Sequence, residues 1–240
     1  MRYAVLSDIH GNLAALRAVL SDIGSVDAVW CLGDVVGYGP DPNECVDLVR
    51  QRAAICLAGN HDWAAVAKMD LDAFNPDAAK AITWTRQQLS GENITFLAGL
   101  PSILRQGQMT LAHGSPRDPI WEYILSVSAA QENFPRFDTA LCLVGHTHSP
   151  AVFRQDKGIV KQVELAHGGS LPIGAGRFII NPGSVGQPRD GDPRSSYLLL
   201  DTSAQTVRFM RLAYNIGETR NRMSLAHLPV RLSTRLEFGR

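Results

Sequence analysis

The chain of 240 residues is 45% hydrophobic and 19% charged, which fits a soluble globular protein and excludes a disordered or membrane-embedded one. Lys plus Arg equal Asp plus Glu at 23 each, so no global positive field draws the chain onto a nucleic-acid polymer or anionic lipid. No run approaches the roughly 18 apolar residues of a membrane span, and Asp8 and His10 follow the N-terminus too soon for a signal peptide, which predicts a cytoplasmic protein.

Tyr3 to Leu6 is an apolar run that stops at Ser7-Asp8. Asn12 then reads as a helix cap, with Leu13, Leu16, Val19, Leu20 and Ile23 at helical spacing. The pattern repeats with Ala28 to Leu32, a loop from Gly33 to Asp41, and Pro42 as a favoured first helical residue before Cys45, Val46, Leu48 and Val49. A third run, Ala53 to Ala58, ends at Gly59. Strands alternating with helices predict a parallel start to the sheet, and in such sheets ligands bind beyond the carboxyl ends of the strands. Trp63 to Leu100 reads as mainly helical, with one helix starting at Pro76.

From Ile103 onward short β runs dominate: 103–105, 109–112, 141–144, 151–154, 159–165, 178–180, 197–200 and 207–212. These predict a second sheet, and the fold class is α/β (α+β), a two-sheet β-sandwich flanked by helices. Residues 1–214 read as a single domain and 215–240 as a C-terminal helical or loose tail. The cysteines, Cys31, Cys45, Cys56 and Cys142, form no C-x-x-C pair and read as buried reduced thiols.

The polar residues just after the apolar runs carry the chemistry: Asp8 and His10, Asp34, Asn60 and His61, His113, and His146 and His148. Taken singly, Asp8 suits a helix cap, Gly33-Asp34 a turn, and His113 says little. Gly59-Asn60-His61-Asp62 is less ordinary, and two histidines at i and i+2 past a strand suit metal ligation better than core packing. If each cluster ends a strand, the carboxyl ends gather all of them on one rim. Mixed imidazole and carboxylate donors suit Mn, Fe, Co, Ni or Zn and disfavour an all-oxygen Ca or Mg site. His167 and His227 have no ligand pattern beside them and read as surface residues.

In order, these blocks read D-x-H, G-D, G-N-H-D, H and G-H-x-H, and the sequence resembles the calcineurin-like metallophosphoesterases from about Arg2 to Leu212. The resemblance implies a metallo-dependent phosphatase-like fold and two divalent ions, Mn or Fe foremost, with Zn, Ni and Co as further candidates. It implies that Asp8, His10 and His148 bind one ion, that Asn60, His113 and His146 bind the other, and that Asp34 bridges them. It makes His61 the residue beside the leaving group, as proton donor or charge stabiliser. The implied reaction is attack of a metal-bound hydroxide on phosphorus.

Family protein phosphatases continue G-D with an acidic residue three positions on and an Arg beside it; here these are Gly37 and Tyr38. A phosphoprotein substrate is therefore disfavoured, and the compact chain resembles the small bacterial and archaeal phosphodiesterases of the family. His61 loses its usual carboxylate partner, leaving Asp62 or a backbone carbonyl to orient it. Candidate substrate residues on the rim are Tyr38, Arg117, Trp121, Tyr123, Arg189 and Asp190. The expected partner is a small phosphate ester, with phosphomonoesters as an alternative class and a homo-oligomer allowed. A binding scaffold resembling the retromer subunit of this fold is the competing reading; the complete ligand set argues against it. A structural zinc site fails because closed sites need four ligands, usually rich in Cys.

Overall fold

The computed structural model describes residues 1–164 and 169–240. In chain order it contains β1 (Arg2–Leu6), α1 (Leu13–Asp22), β2 (Ala28–Cys31), α2 (Pro42–Arg52), β3 (Ala53–Cys56), α3 (Asn60–Ala65), α4 (Pro76–Gln88) and α5 (Gly91–Gly99). There follow β4 (Ile103–Gln106), β5 (Met109–Ala112), α6 (Val127–Asn133), β6 (Leu141–Leu143), β7 (Ala151–Asp156), β8 (Ile159–Gln162), β9 (Ser170–Pro172) and β10 (Arg177–Asn181). The chain closes with β11 (Ser195–Asp201), β12 (Thr206–Leu212), α7 (Ile216–Leu225) and α8 (Val230–Phe238).

The strands form two six-stranded sheets, ordered β3-β2-β1-β11-β12-β9 and β4-β5-β6-β10-β7-β8. β1, β2 and β3 run parallel as predicted, because each crossover passes through a helix, α1 and then α2. The helix signals act as read: Asn12 Oδ1 accepts the Ala15 N–H at 3.2 Å, and Pro42 opens α2. Alternation along the strands explains the continuous apolar runs. Tyr3 and Val5 on β1 face the space between the sheets, with Trp30, Leu143, Phe178, Ile180 and Leu198, whereas Ala4 and Leu6 face α1 and α2. Strands buried on both faces lose the polar half of the alternation.

One expectation is corrected. The β runs after Ile103 do not all belong to a second sheet: β11 pairs antiparallel with β1, and β12 and β9 extend that first sheet. Periodicity records which faces of a strand are buried, not which neighbour it pairs with, so Leu198 and Leu200 fit either sheet equally. β9 has no sequence signal of its own, and β8 ends at Gln162. Val163 and Glu164, predicted to continue β8, are not strand, and Leu165 and His167 lie outside the described residues.

Within the predicted helical or loose tail, Ile216–Leu225 and Val230–Phe238 form two helices. Met223, Leu228, Leu232 and Leu236 pack with Ala78 and Ala81 of α4 and with Tyr38. These helices thereby back one wall of the cleft described next. Among the described residues no helix is long and apolar enough to cross a membrane.

Candidate metal centre and active-site cleft

Each predicted cluster follows a strand end. Asp8 and His10 lie beyond β1, Asp34 beyond β2, Asn60 and His61 beyond β3, His113 beyond β5, and His146 and His148 beyond β6. The turns are tight enough to force unusual backbone. Asp8, His10, Asp34, His146 and His148 have φ of 54°, 52°, 53°, 65° and 58°, in the left-handed region. For residues with a Cβ this costs on the order of 1 kcal/mol each, and such strain collects at functional sites. Gly59 allows the closest approach, since a Cβ there would sit 2.0 Å from Asp34 Oδ1.

The side chains converge in two groups that share one carboxylate: Asp8, His10, Asp34 and His148 in one, and Asp34, His113 and His146 in the other. Asp34 Oδ2 lies 3.5 Å from His10 Nε2 and 3.4 Å from His113 Nε2. Its Oδ1 accepts the His61 N–H at 2.9 Å, which holds the carboxylate between the groups. Asp8 Oδ2 accepts the His146 N–H at 3.1 Å, and Asp8 Oδ1 faces His148 Nε2 at 3.4 Å.

Backbone carbonyls orient the rings. Nδ1 of His10 meets the Val36 carbonyl at 3.2 Å, Nδ1 of His113 the Leu32 carbonyl at 2.9 Å, and Nδ1 of His148 the Gln187 carbonyl at 2.6 Å. A carbonyl only accepts, so each Nδ1 carries the proton and each Nε2 is left free to face the centre, as in metal-binding histidines. Deep in this cluster, Asp8 Oδ1, Asp34 Oδ2, Asn60 Oδ1, His113 Nε2 and His146 Nε2 are buried without a hydrogen-bond partner. So many unpartnered buried polar atoms in one cluster would be costly without a cation, and the donor set fits divalent transition metals.

Electrostatics points the same way. Burial opposes the charge on Asp34, yet His113 and His61 outweigh it and hold this carboxyl well below the ordinary range. Burial raises Asp8 to about 7 despite His113. Burial alone would lower His113, but the charge and proximity of Asp34 raise it to about 9. Burial lowers His146 to about 3 and His61 to about 4 and drives His10 and His148 down as well, so these four rings are neutral at neutral pH.

His61 lines the cleft together with Tyr38, Phe74, Asn75, Trp121 and Tyr123, among others, and Arg189. Its ring centroid lies 4.4 Å from Tyr38 and 5.2 Å from Phe74, and Tyr123 stacks on His146 at 4.0 Å. Arg189 donates to the Tyr38 hydroxyl at 3.3 Å and to Gln187 Oε1 at 3.0 Å. Gly37 explains why no acidic residue stands beside His61. Its φ is 138°, and a Cβ there would lie 2.6 Å from His61 Nδ1 and 2.8 Å from His10 Nδ1.

Other expectations fail on geometry. Asp62 does not orient His61, because its oxygens accept the Val36 and Gly59 N–H groups, each at 3.0 Å. No carbonyl takes over, since His61 Nδ1 is buried without a partner. Arg117 does not line the cleft: Glu122 and Glu132 hold its guanidinium. Asp190 is taken up by Arg211. The sequence reading missed Phe74, which has no motif around it, and the carbonyls of Leu32, Val36 and Gln187, which every residue type offers.

Residues 1–205 match the calcineurin-like phosphoesterase superfamily domain. An uncharacterized protein of Methanocaldococcus jannaschii is 39% identical over an alignment of 245 positions, covering 99% of this chain and 98% of that protein. A symmetrical bis(5'-nucleosyl)-tetraphosphatase of Photorhabdus laumondii is 34% identical over 101 residues, 35% of this chain and 37% of that protein. Among solved structures, a metallophosphoesterase from Sphaerobacter thermophilus superposes with a TM-score of 0.93 at 51% identity, covering 100% of this chain and 99% of that one.

Proposed function

The chain belongs to the calcineurin-like phosphoesterase superfamily and is a metal-dependent phosphoesterase, and we propose that it hydrolyses small phosphodiesters at a centre of two divalent cations. Asp8, His10 and His148 would hold one cation, Asn60, His113 and His146 the other, with Asp34 shared. The observation that carries this reading is the set of buried, partnerless atoms on Asp8, Asp34, Asn60, His113 and His146, four of them members of the two groups that share Asp34. When bound, the cations supply positive charge that neutralises a phosphoryl group and acidifies water.

The chain's own groups do the rest. Asp34 stays ionised at neutral pH, and the Nδ1–H donations of His10, His113 and His148 keep each Nε2 turned inward. His61 acts as a neutral imidazole that donates an N–H to the departing oxygen, because burial lowers it to about 4 and outweighs the opposing charge of Asp34. Arg189, steadied by Tyr38 and Gln187, presents its charge to the anionic ester. Phe74, Trp121 and Tyr123 wall the cleft and limit water around the reacting group.

The diester preference rests on Gly37 and Tyr38, which leave no acidic-Arg pair to grip a phosphomonoester dianion. A screen of protein reconstituted with Mn, Fe, Co, Ni or Zn tests it, using bis-p-nitrophenyl phosphate, p-nitrophenyl phosphate and a phosphoserine peptide. Highest kcat/KM on the diester is expected. Preference for the peptide would overturn the substrate class, and no hydrolysis with any metal would overturn the whole reading.

A further inference from the structure

The cleft over the ligand cluster holds about 70 Å³, below the roughly 300–1,000 Å³ in which a small molecule is usually buried. Most of any substrate must therefore lie outside it. Asn75 lines both this cleft and a groove of about 1040 Å³ between the start of α4 and α8. The groove carries Arg231, Arg235 and Arg240 against one acidic side chain, Asp77, with Val230 and Phe238 as exposed apolar surface.

These cations are placed to continue the charge of Arg189. Burial, and then the nearby positive charge of Arg189, hold Arg235 below its ordinary range, with Tyr38 and Asp77 acting the other way. Elsewhere on α7 and α8, Arg220 pairs with Glu237 and Arg222 with Asp41. Among the described residues no ion pair engages Arg189, Arg231 or Arg235. Arg189 Nε is buried without a partner, and Arg235 spends only its Nε, on a terminal oxygen of Arg240. Guanidinium groups left without counter-ions beside a phosphoester cleft are suited to further phosphate oxygens.

We infer that the α8 groove is a second anion subsite that takes a phosphate remote from the one being cleaved, so that preferred substrates are small molecules bearing a chain of phosphates. This deepens the phosphoesterase reading and rests on it. Arg189 stands between the two subsites, and Arg231 and Arg235 receive the distal phosphate. Val230 and Phe238 offer apolar surface to whatever group that phosphate carries.

The test compares metal-loaded wild type with Arg231→Glu, Arg235→Ala and Arg235→Lys on bis-p-nitrophenyl phosphate, which has one phosphate, and bis(5'-adenosyl) tetraphosphate. Metal content and melting temperature check folding, and the exposed position of Arg231 protects that variant should Arg235→Ala unfold. The expected result is about a tenfold or larger fall in the kcat/KM ratio of long to short substrate, mainly through KM, with Arg235→Lys keeping most of it. Raising the salt should shrink the wild-type preference. Inorganic tripolyphosphate should bind Arg231→Glu correspondingly more weakly by calorimetry. An unchanged ratio together with unchanged tripolyphosphate affinity overturns the subsite while leaving the phosphoesterase reading intact. If wild type hydrolyses neither ester, that reading fails, and the tripolyphosphate measurement still decides the subsite.

Discussion

His10 Nε2 lies 3.0 Å from His148 Nε2, although each ring already donates its Nδ1 proton to a backbone carbonyl, of Val36 and Gln187 respectively. Two lone pairs are thereby pressed together, an arrangement that only a shared proton or a cation relieves. Both rings are buried, and burial disfavours the proton. Removing metal should therefore destabilise the fold. Chelated protein is expected to melt at lower temperature than protein reconstituted with Mn or Zn; a cation at a hundred times its Kd would add about 2.7 kcal/mol. Elemental analysis should approach two ions per chain. A melting temperature indifferent to every metal would contradict the convergence of these atoms.

Asp34 touches both ligand groups, whereas His10 belongs to one. Asp34→Asn is therefore expected to lose more activity and more metal than His10→Ala, because, on the proposed two-cation reading, it removes the carboxylate that both sites would share. Both variants should remain folded by circular dichroism. Full metal content in the Asp34 variant, with residual activity equal to that of His10→Ala, would refute the shared position.

For His61, a neutral N–H donor predicts a loss in kcat of about 10²–10³ in His61→Ala, the scale of deleting one donor to a developing oxyanion. The loss should stay within about tenfold between p-nitrophenyl and alkyl esters, since a hydrogen bond stabilises charge without delivering a full proton. Metal content should hardly change. A loss that nearly vanishes for p-nitrophenolate but is large for alkyl leaving groups would show that His61 is a general acid instead.

His113, raised to about 9 against the charge of Asp34, is protonated at neutral pH in the metal-free protein. That charge stabilises the metal-free fold fully below the unfolded value of about 6.5, and the contribution is lost as pH rises through about 9. A cation must displace this proton, so metal affinity should climb with pH up to about 9. At neutral pH, binding should release close to one proton from His113 and a further fraction from Asp8, whose carboxyl is raised to about 7 by burial. Calorimetric titrations in buffers of different ionisation enthalpy measure this. Release of no protons would place the cation away from His113.

Much of the candidate centre was legible in the sequence because each candidate ligand stands just after an apolar run, and a strand's carboxyl end is a defined place in an α/β fold. Asp8-x-His10, Gly33-Asp34, Gly59-Asn60-His61 and Gly145-His146-Thr147-His148 needed only their local neighbours to be read. The helix starts at Asn12 and Pro42 were equally local, since capping and fixed φ act within one turn. What the tertiary structure decided is everything that depends on distant neighbours. The period of β11 and β12 shows buried faces but not that β1 is the partner of β11. Arg117 and Arg189 look alike in sequence, yet Glu122 and Glu132 neutralise the first, while the second faces the cleft with Tyr38 and Gln187. The carbonyls that orient His10, His113 and His148 carry no residue signature, and the nearness of Arg235 to Arg189 exists only because α8 folds back onto Tyr38 and α4. Local chemistry is written in adjacent residues; pairing, charge compensation and access are settled only when the chain closes on itself.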